Sequence, residues 1–321
     1  MAGARHTPSG LTGCACRQVP GEFTVEEVTR VVGALRLVII TYFPGEFLEA
    51  MLATVPAASA RAIAVTVVDN GSTDGTVDYV RSVPELTLAQ PGRNVGYGGG
   101  ANVGLAGSSE PWVVIANSDI TFAPGSIDRL LEAAERWPRW GVLGPRILTP
   151  DGRLYPSARE LPSLGRGVGH ALFGWIWPTN PWTAGYRRER QEPREGTAGW
   201  LSGACMLVRR EAFEAVGGFD ESYFMYFEDT DLCERMAGAG WDVVYAPDAV
   251  VEHHGAHSTS RDLHTMSKAH HDSAYRYLSR RYAGPAWAPV RVALKAGLWA
   301  RYQFSRRVSR VTHGAQPTRR A

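Results

Sequence analysis

Three apolar runs of strand length, each ending at a polar turn with side chains suited to ligand binding, constrain this 321-residue chain more than any other feature. Residues 35–42 (LRLVIITY) carry Thr41 next to the break at Pro44-Gly45. Residues 63–68 run into Asp69-Asn70-Gly71-Ser72-Thr73-Asp74-Gly75, and residues 112–116 stop at Asn117-Ser118-Asp119. Continuous β-branched runs are those of strands buried on both faces, and helical patterns follow at residues 76–82 and 126–137. Repeated strand and helix predicts an α/β chain with a mostly parallel, Rossmann-like sheet covered by helices on both sides. Ligands of such sheets bind beyond the carboxyl ends of the strands, where Thr41, Asp69 and Asp119 stand.

Further along, residues 86–89 read as a shorter strand and residues 94–104 as a glycine-rich turn. Residues 153–196, rich in Pro, Trp, Gly and Arg without periodicity, read as a long loop. Order returns with residues 200–209, a helix at 210–216, an acidic helix at 228–237 and a strand at 241–245, ahead of His253, His254 and His257. The expected layout is a leader over residues 1–33, a main domain over 34–260 divided near 122, and a basic helical segment over 261–321.

Four cysteines without a CxxC pair fit a reducing cytoplasm, and residues 1–20 lack the apolar core of a signal peptide. The most apolar run, residues 31–43, is interrupted by Arg36 and falls short of the ~20 residues that cross a bilayer, so no transmembrane helix is expected. The net charge of +2 conceals an asymmetry. Eleven of the 34 Lys and Arg follow Asp272, the last acidic residue, leaving 23 basic side chains against all 32 acidic ones in residues 1–272. In the tail Trp287, Val290, Leu294 and Leu298 recur at helical spacing beside Arg291 and Lys295, with Arg301, Arg306, Arg307 and Arg310 beyond. That pattern predicts a basic helix lying on an anionic membrane, on the inner face of the cell membrane. The competing reading packs the stripe on the main domain or on a second subunit, which leaves a homo-oligomer open. Nucleic acid is not an expected partner, since no recognised binding motif accompanies the charge.

Several of these turns could carry chemistry. Asp69 can accept hydrogen bonds from a nucleotide base or ribose, whereas Asp74 reads better as a turn and helix-cap residue. The stretch Asn94 to Asn102 lets backbone approach a ligand or pack tightly, and it is neither a Walker A loop nor a GxGxxG fingerprint. Asp119 is placed to reach a divalent cation, Mg2+ or Mn2+, with His253 as second ligand and His254 as the competing choice. Glu228 and Asp229 open a helix, where capping alone favours carboxylates. The aromatics before them, Tyr223, Phe224, Tyr226 and Phe227, would seat them against an apolar wall suited to a base. Asp229 is the first choice and Glu228 the second.

In order and spacing, IITYFP, VVDNGSTDGT, RNVGYGGGANVG, ANSDI, WLSGACMLVRR, VGGFDESYFMYFEDTDLCER and VVEHHGAHS resemble the family 2 glycosyltransferases of GT-A fold, over roughly residues 35–260. Within that family the chain looks most like bacterial rhamnosyltransferases that use dTDP-rhamnose and a polyprenyl-diphosphate-linked N-acetylglucosamine acceptor in actinobacterial cell-wall linker assembly. The resemblance implies that Thr41, Asp69, Asn94, Gly96 and Asn117 lie around the donor nucleotide, in the half spanning about residues 34–122. It also implies that Asp119 is the remaining acid of a DxD-type metal site, Asn117 taking the other acidic position, with His253 as the late metal-associated histidine. Asp229 of the ED pair would be the base of an inverting transfer, and Trp200 and Gly203 would meet the acceptor. Neither QxxRW nor membrane spans are found, which favours transfer of a single sugar. A non-catalytic sugar-nucleotide or glycan-binding module of the same fold is disfavoured by the joint presence of Asp119, Asp229 and His253. A nucleotidyltransferase, the other competing reading, would release pyrophosphate instead of a nucleoside diphosphate.

Overall fold

The computed structural model describes residues 35–163, 193–255 and 263–314. Its elements in chain order are β1 (Leu35–Thr41), α1 (Phe47–Ala58), β2 (Ile63–Asp69), α2 (Thr76–Ser82), β3 (Leu86–Ala89), α3 (Gly96–Leu105) and β4 (Trp112–Asn117). Then come β5 (Ile120–Phe122), α4 (Ser126–Arg136), β6 (Trp140–Leu148), β7 (Leu154–Tyr155), β8 (Ala158–Arg159), β9 (Gly196–Thr197), β10 (Trp200–Leu201) and β11 (Cys205–Arg209). The rest are α5 (Arg210–Ala215), α6 (Glu228–Gly238), β12 (Asp242–His253), α7 (Leu263–Arg281), a 3-10 turn at Pro285–Trp287 and α8 (Ala288–Gly314).

The central sheet runs β3-β2-β1-β4-β11-β6-β12-β5. The first four strands are mutually parallel, and so are β6 and β12, while β11 and β5 run against their neighbours. Period-two alternation along β1 feeds two cores: Leu35, Leu37 and Ile39 pack with Leu48, Met51 and Ile127 on one face, and Val38 and Ile40 with Tyr97 and Ala101 on the other. Arg36, the charge inside that run, is held near the strand's start by Glu110 at 2.7 and 2.9 Å and by Thr66. The guanidinium hydrogen bond draws the Glu110 carboxyl down to about 2.

The glycines of α3 serve packing. A Cβ on Gly104 would fall 2.2 Å from a Val38 methyl carbon, and one on Gly98 2.9 Å from Phe219 Cβ. The helix therefore lies directly on the sheet, and the packing alternative holds for this stretch.

Two elements did not stand out in the sequence. Helix α1 buries Leu48, Met51, Val55 and Ala58 at helical spacing, but Pro56 interrupts the pattern. Strand β6 contains Gly144-Pro145, which reads as a turn; the sheet accepts it because β12 bulges between Ala246 and Val250 and the freed Pro247 carbonyl takes Arg146 Nε at 2.9 Å.

The expected long loop is partly sheet, since β7 pairs with β6, β8 with β10 and β9 with β12. Residues 164–192 of that loop, the leader and His257 lie outside the described residues. The strand expected at 241–245 continues to His253, and the basic segment is helical from Leu263 onward.

The predicted membrane stripe divides. Val290, Leu294 and Leu298 are half-buried on a helix that packs along α7, whereas Trp287, Val292 and Trp299 are 43, 69 and 64% exposed. The outward apolar face is therefore Val292 and Trp299, one heptad apart, and the predicted stripe fits the packing alternative better. Arg291 is occupied as well, donating to the carbonyls of Tyr282 and Gly284 at 2.7 and 2.8 Å. Among the described residues no helix is long and apolar enough to cross a membrane.

Candidate active site

The carboxyl ends of β1, β2 and β4 share one edge of the sheet, where β1 pairs Thr41 with Asp69 and Ile40 with Asn117. Thr41 is buried and its Oγ1 has no partner among the described residues, an orphaned hydroxyl at the place where a ligand group would meet it. Asp69 is also buried, and its carboxylate closes an Asx-turn, accepting the N–H groups of Gly71 at 3.1 Å and Ser72 at 3.0 Å. That is the local role favoured for Asp74, which plays it too, taking Thr76 N–H at 3.3 Å and Gly45 N–H at 3.4 Å.

Asn70, overlooked in the sequence, clamps the glycine-rich turn to β2. Its Nδ2 donates to the Gly96 carbonyl at 3.2 Å and its Oδ1 accepts from Val95 N–H at 3.3 Å. Asn94 accepts the Gly96 N–H at 2.9 Å. Both backbone groups of Gly96 thus have protein partners, and at φ +79° a Cβ there would lie 1.9 Å from the Phe224 carbonyl oxygen. The geometry makes Gly96 a close-approach residue of the fold, with its N–H and carbonyl both engaged by protein.

Past β4, Asn117, Asp119 and His253 converge. Antiparallel pairing of β5 with β12 sets His253 opposite Ile120, and His253 Nε2 stands 3.2 Å from Asp119 Oδ1 and 3.3 Å from Asn117 Nδ2. Burial opposes ionisation of Asp119, but hydrogen bonding and charge at His253 outweigh it and leave the carboxyl below its ordinary value. His254 points elsewhere: its Nε2 is 3.3 Å from Glu252 and its ring packs on Phe47. Of the two candidates, His253 is the one beside Asp119. One carboxylate and one imidazole on a common point fit a hard or borderline divalent cation whose other ligands come from phosphate and water. Among the described residues no third His, Cys, Asp or Glu joins them.

The second carboxylate pair opens α6. Tyr226 and Phe227 both lie in the left-handed region at φ +67°, a conformation unfavourable for side chains of this size, and they turn the chain so that Glu228 and Asp229 begin the helix. Helix α7 braces that turn: Ser273 Oγ donates to the Met225 carbonyl at 2.9 Å, and His270 meets the Tyr226 and Phe227 rings at 5.3 and 5.8 Å. Arg280 pairs with Asp220 and Asp231, and Arg281 with Glu234.

Asp229 accepts Gly203 N–H at 2.9 Å through one oxygen, and Thr230 N–H at 2.7 Å and Thr230 Oγ1 at 3.2 Å through the other. Glu228 is buried, its Oε2 without a partner among the described residues. Burial raises both carboxyls, and the charge of Asp229 pushes Glu228 well above the carboxylate range. The donors around Asp229 make it the ionised member and leave Glu228 neutral. Gly203 therefore orients the carboxylate, and its carbonyl is held in turn by the hydroxyl of the buried Tyr97, a residue the sequence reading passed over within RNVGYGGGANVG. Trp200 is buried, its Nε1 donating to the Glu160 carbonyl at 3.1 Å, with the Arg159 guanidinium over its ring.

This edge gathers the buried Thr41 and Asp69, the Asp119–His253 pair and the Asp229 carboxylate with its raised proton affinity. Residues 37–217 match the family model described as Glycosyl transferase family 2. An N-acetylglucosaminyl-diphospho-decaprenol L-rhamnosyltransferase of Mycobacterium tuberculosis is 51% identical over 276 residues, spanning 82% of this chain and 90% of the relative. The rhamnosyltransferase WbbL of Escherichia coli is 40% identical over 82 residues, which cover 26% of this chain and 31% of that protein. The mannosyltransferase PcManGT of Pyrobaculum calidifontis, solved with GDP-Man and Mn2+, superposes with a TM-score of 0.51 at 19% identity over 88% of this chain and 76% of that one, a likeness of fold. The family model over residues 37–217 and the 51% identity over 82% of the chain show that it belongs to glycosyltransferase family 2.

Proposed function

We propose that the enzyme transfers one rhamnosyl residue from dTDP-rhamnose to N-acetylglucosamine carried on a polyprenyl diphosphate. The observation that carries the reading is the 51% identity to the mycobacterial enzyme across most of both chains. In this mechanism the Asp229 carboxylate takes the proton of the acceptor hydroxyl as its oxygen attacks C1 of the sugar. The new O–C1 bond forms on the face opposite the departing diphosphate, and the electron pair of the breaking C1–O bond leaves with the nucleoside diphosphate. Burial of Asp229 favours this step by raising its affinity for the proton. A divalent cation, Mg2+ or Mn2+, held by Asp119 and His253 would supply positive charge against the leaving diphosphate. Thr41, with its unpartnered hydroxyl, Asp69 and Asn94 would meet the nucleoside end.

The lipid-linked acceptor calls for a membrane surface. Trp287, Val292 and Trp299 on the outward side of the tail, among basic residues such as Lys295 and Arg301, would bring the protein to anionic lipid. Sedimentation with anionic vesicles should fall with salt and with Trp299→Ser; equal binding to neutral vesicles removes this part of the reading.

The transfer reaction is tested by incubating purified protein with dTDP-rhamnose and a short polyprenyl-diphosphate N-acetylglucosamine, and following dTDP release and the mass of the glycolipid. The expected product gains one deoxyhexose. Transfer from another nucleotide sugar alone would overturn the donor assignment, and no transfer to this acceptor would overturn the acceptor assignment.

A further inference from the structure

Arg159 stands near the base, in no ion pair among the described residues, and its positive charge helps hold the Asp229 carboxyl ionised. It lies on the short ribbon in which β8 and β10 pair antiparallel, directly opposite Trp200, and three residues beyond Trp200 the Gly203 N–H holds Asp229. The guanidinium lies 5.1 Å from the centre of the Trp200 ring and 5.7 Å from that of Tyr155. Its Nε donates to the Pro156 carbonyl at 2.7 Å, which fixes the plane of the group and leaves both terminal nitrogens without a hydrogen-bond partner among the described residues. Such a cation, preoriented between two rings and half-buried, loses little freedom on binding an anion and offers the planar fork that phosphate oxygens match.

The surroundings supply the reason for a cation here. Asp229 is the ionised carboxylate at the start of α6, so an anionic acceptor approaching it meets negative charge unless a cation balances it. Tyr155 has Arg159 over its ring and His253 at 6.1 Å, edge to face. Arg159 is thus separated by one aromatic side chain from the pair suited to the donor diphosphate. We propose that Arg159 binds the diphosphate of the lipid-linked acceptor and so makes the enzyme discriminate in favour of acceptors that carry it. This inference rests on the acceptor class given under Proposed function. It assigns to Arg159 a task that neither Asp119 nor Asp229 performs.

The test compares two acceptors, a short polyprenyl-diphosphate N-acetylglucosamine and a neutral alkyl N-acetylglucosaminide, in the full-length protein and in Arg159→Ala and Arg159→Lys. The readout is the ratio of kcat/KM for the two acceptors, with the KM for the nucleotide sugar measured alongside. Arg159→Ala should reduce the ratio ~10- to 100-fold, chiefly through the acceptor KM, as expected when a hydrogen bond between charged groups is lost. Arg159→Lys should fall between, keeping the charge and losing the fork. A ratio equal to that of the unmodified enzyme overturns the proposal. A rise confined to the donor KM overturns it too, by assigning Arg159 to the donor's diphosphate. If the unmodified enzyme itself ignores the diphosphate acceptor, the acceptor reading falls and this inference with it, an outcome distinct from an unchanged ratio in an active enzyme.

Discussion

His253 Nε2 lies 3.2 Å from the carboxylate of Asp119 because β12 and β5 pair antiparallel and set the histidine opposite Ile120. Asp119→Ala should lower transfer by ~10²-fold or more and remove its dependence on Mg2+ or Mn2+, as loss of a ligand worth several kcal/mol would. His253→Ala should weaken the apparent metal affinity, whereas His254→Ala, whose ring faces Glu252 and Phe47, should leave it near that of the unmodified protein. Metal titration of the reaction in each variant, with a chelator control, checks all three.

Asp229→Asn should reduce kcat by ~10²–10⁴ while the protein still binds donor nucleotide. Glu228→Gln should cost far less, because Glu228 is already neutral where it is buried. Its raised pKa also makes it a liability as pH rises. Above the ordinary glutamate value of about 4.3 the unfolded chain gives up this proton while the folded protein retains it, so stability declines until the raised folded value is passed. Glu228→Gln should flatten that decline; thermal unfolding from pH 4 to 9 is the measurement, and a steeper slope in the variant would count against the assignment.

His270, wedged against Tyr226 and Phe227, carries the opposite dependence. Burial, with His271 and Arg301 adding to it, pushes its imidazole down to about 4. As pH falls through the ordinary histidine value near 6.5, the unfolded chain gains a proton that the folded protein refuses, so stability is lost progressively down to about pH 4. His270 keeps an exposed face, so solvent screens much of the effect, which bears on the brace behind the base. His270→Phe should remove this acid sensitivity, read from unfolding curves at pH 7 and pH 5.

Gly104→Ala should destabilise by about 1–3 kcal/mol through overpacking, since its Cβ would fall 2.2 Å from Val38 and 2.9 Å from Val68. Gly96→Ala should be at least as damaging, because positive φ and the Phe224 carbonyl both oppose it. Gly99→Ala, whose nearest neighbour is the Val95 side chain at 3.1 Å, should be milder. Denaturant midpoints of the three variants give the order.

The parallel half of the sheet, the strand ends and the acidic helix were legible in the residues, because each depends on short-range pattern. Buried β-branched runs leave few alternatives to strands, and DNGSTDG and NSD can only end them. Strand β6 and helix α1 were hidden by Pro145 and Pro56, whose cost is met by a bulge in β12 and by the packing of Leu48, Met51 and Val55. The roles around the base follow the same division. Sequence and family resemblance together sufficed to nominate Asp119, Asp229 and His253 ahead of His254, but that the His253 ring stands beside Asp119 while His254 meets Glu252 is a matter of tertiary distance. Likewise Gly203 and Tyr97 orient Asp229 through hydrogen bonds between segments far apart in the chain, and Arg159 acquires its setting only when β8 meets β10. Local propensity and hydrophobic period are properties of neighbouring residues and can be read along the chain. Ion pairing, desolvation and the packing of α7 behind a strained turn are set by distances between remote residues, and only the tertiary structure supplies those.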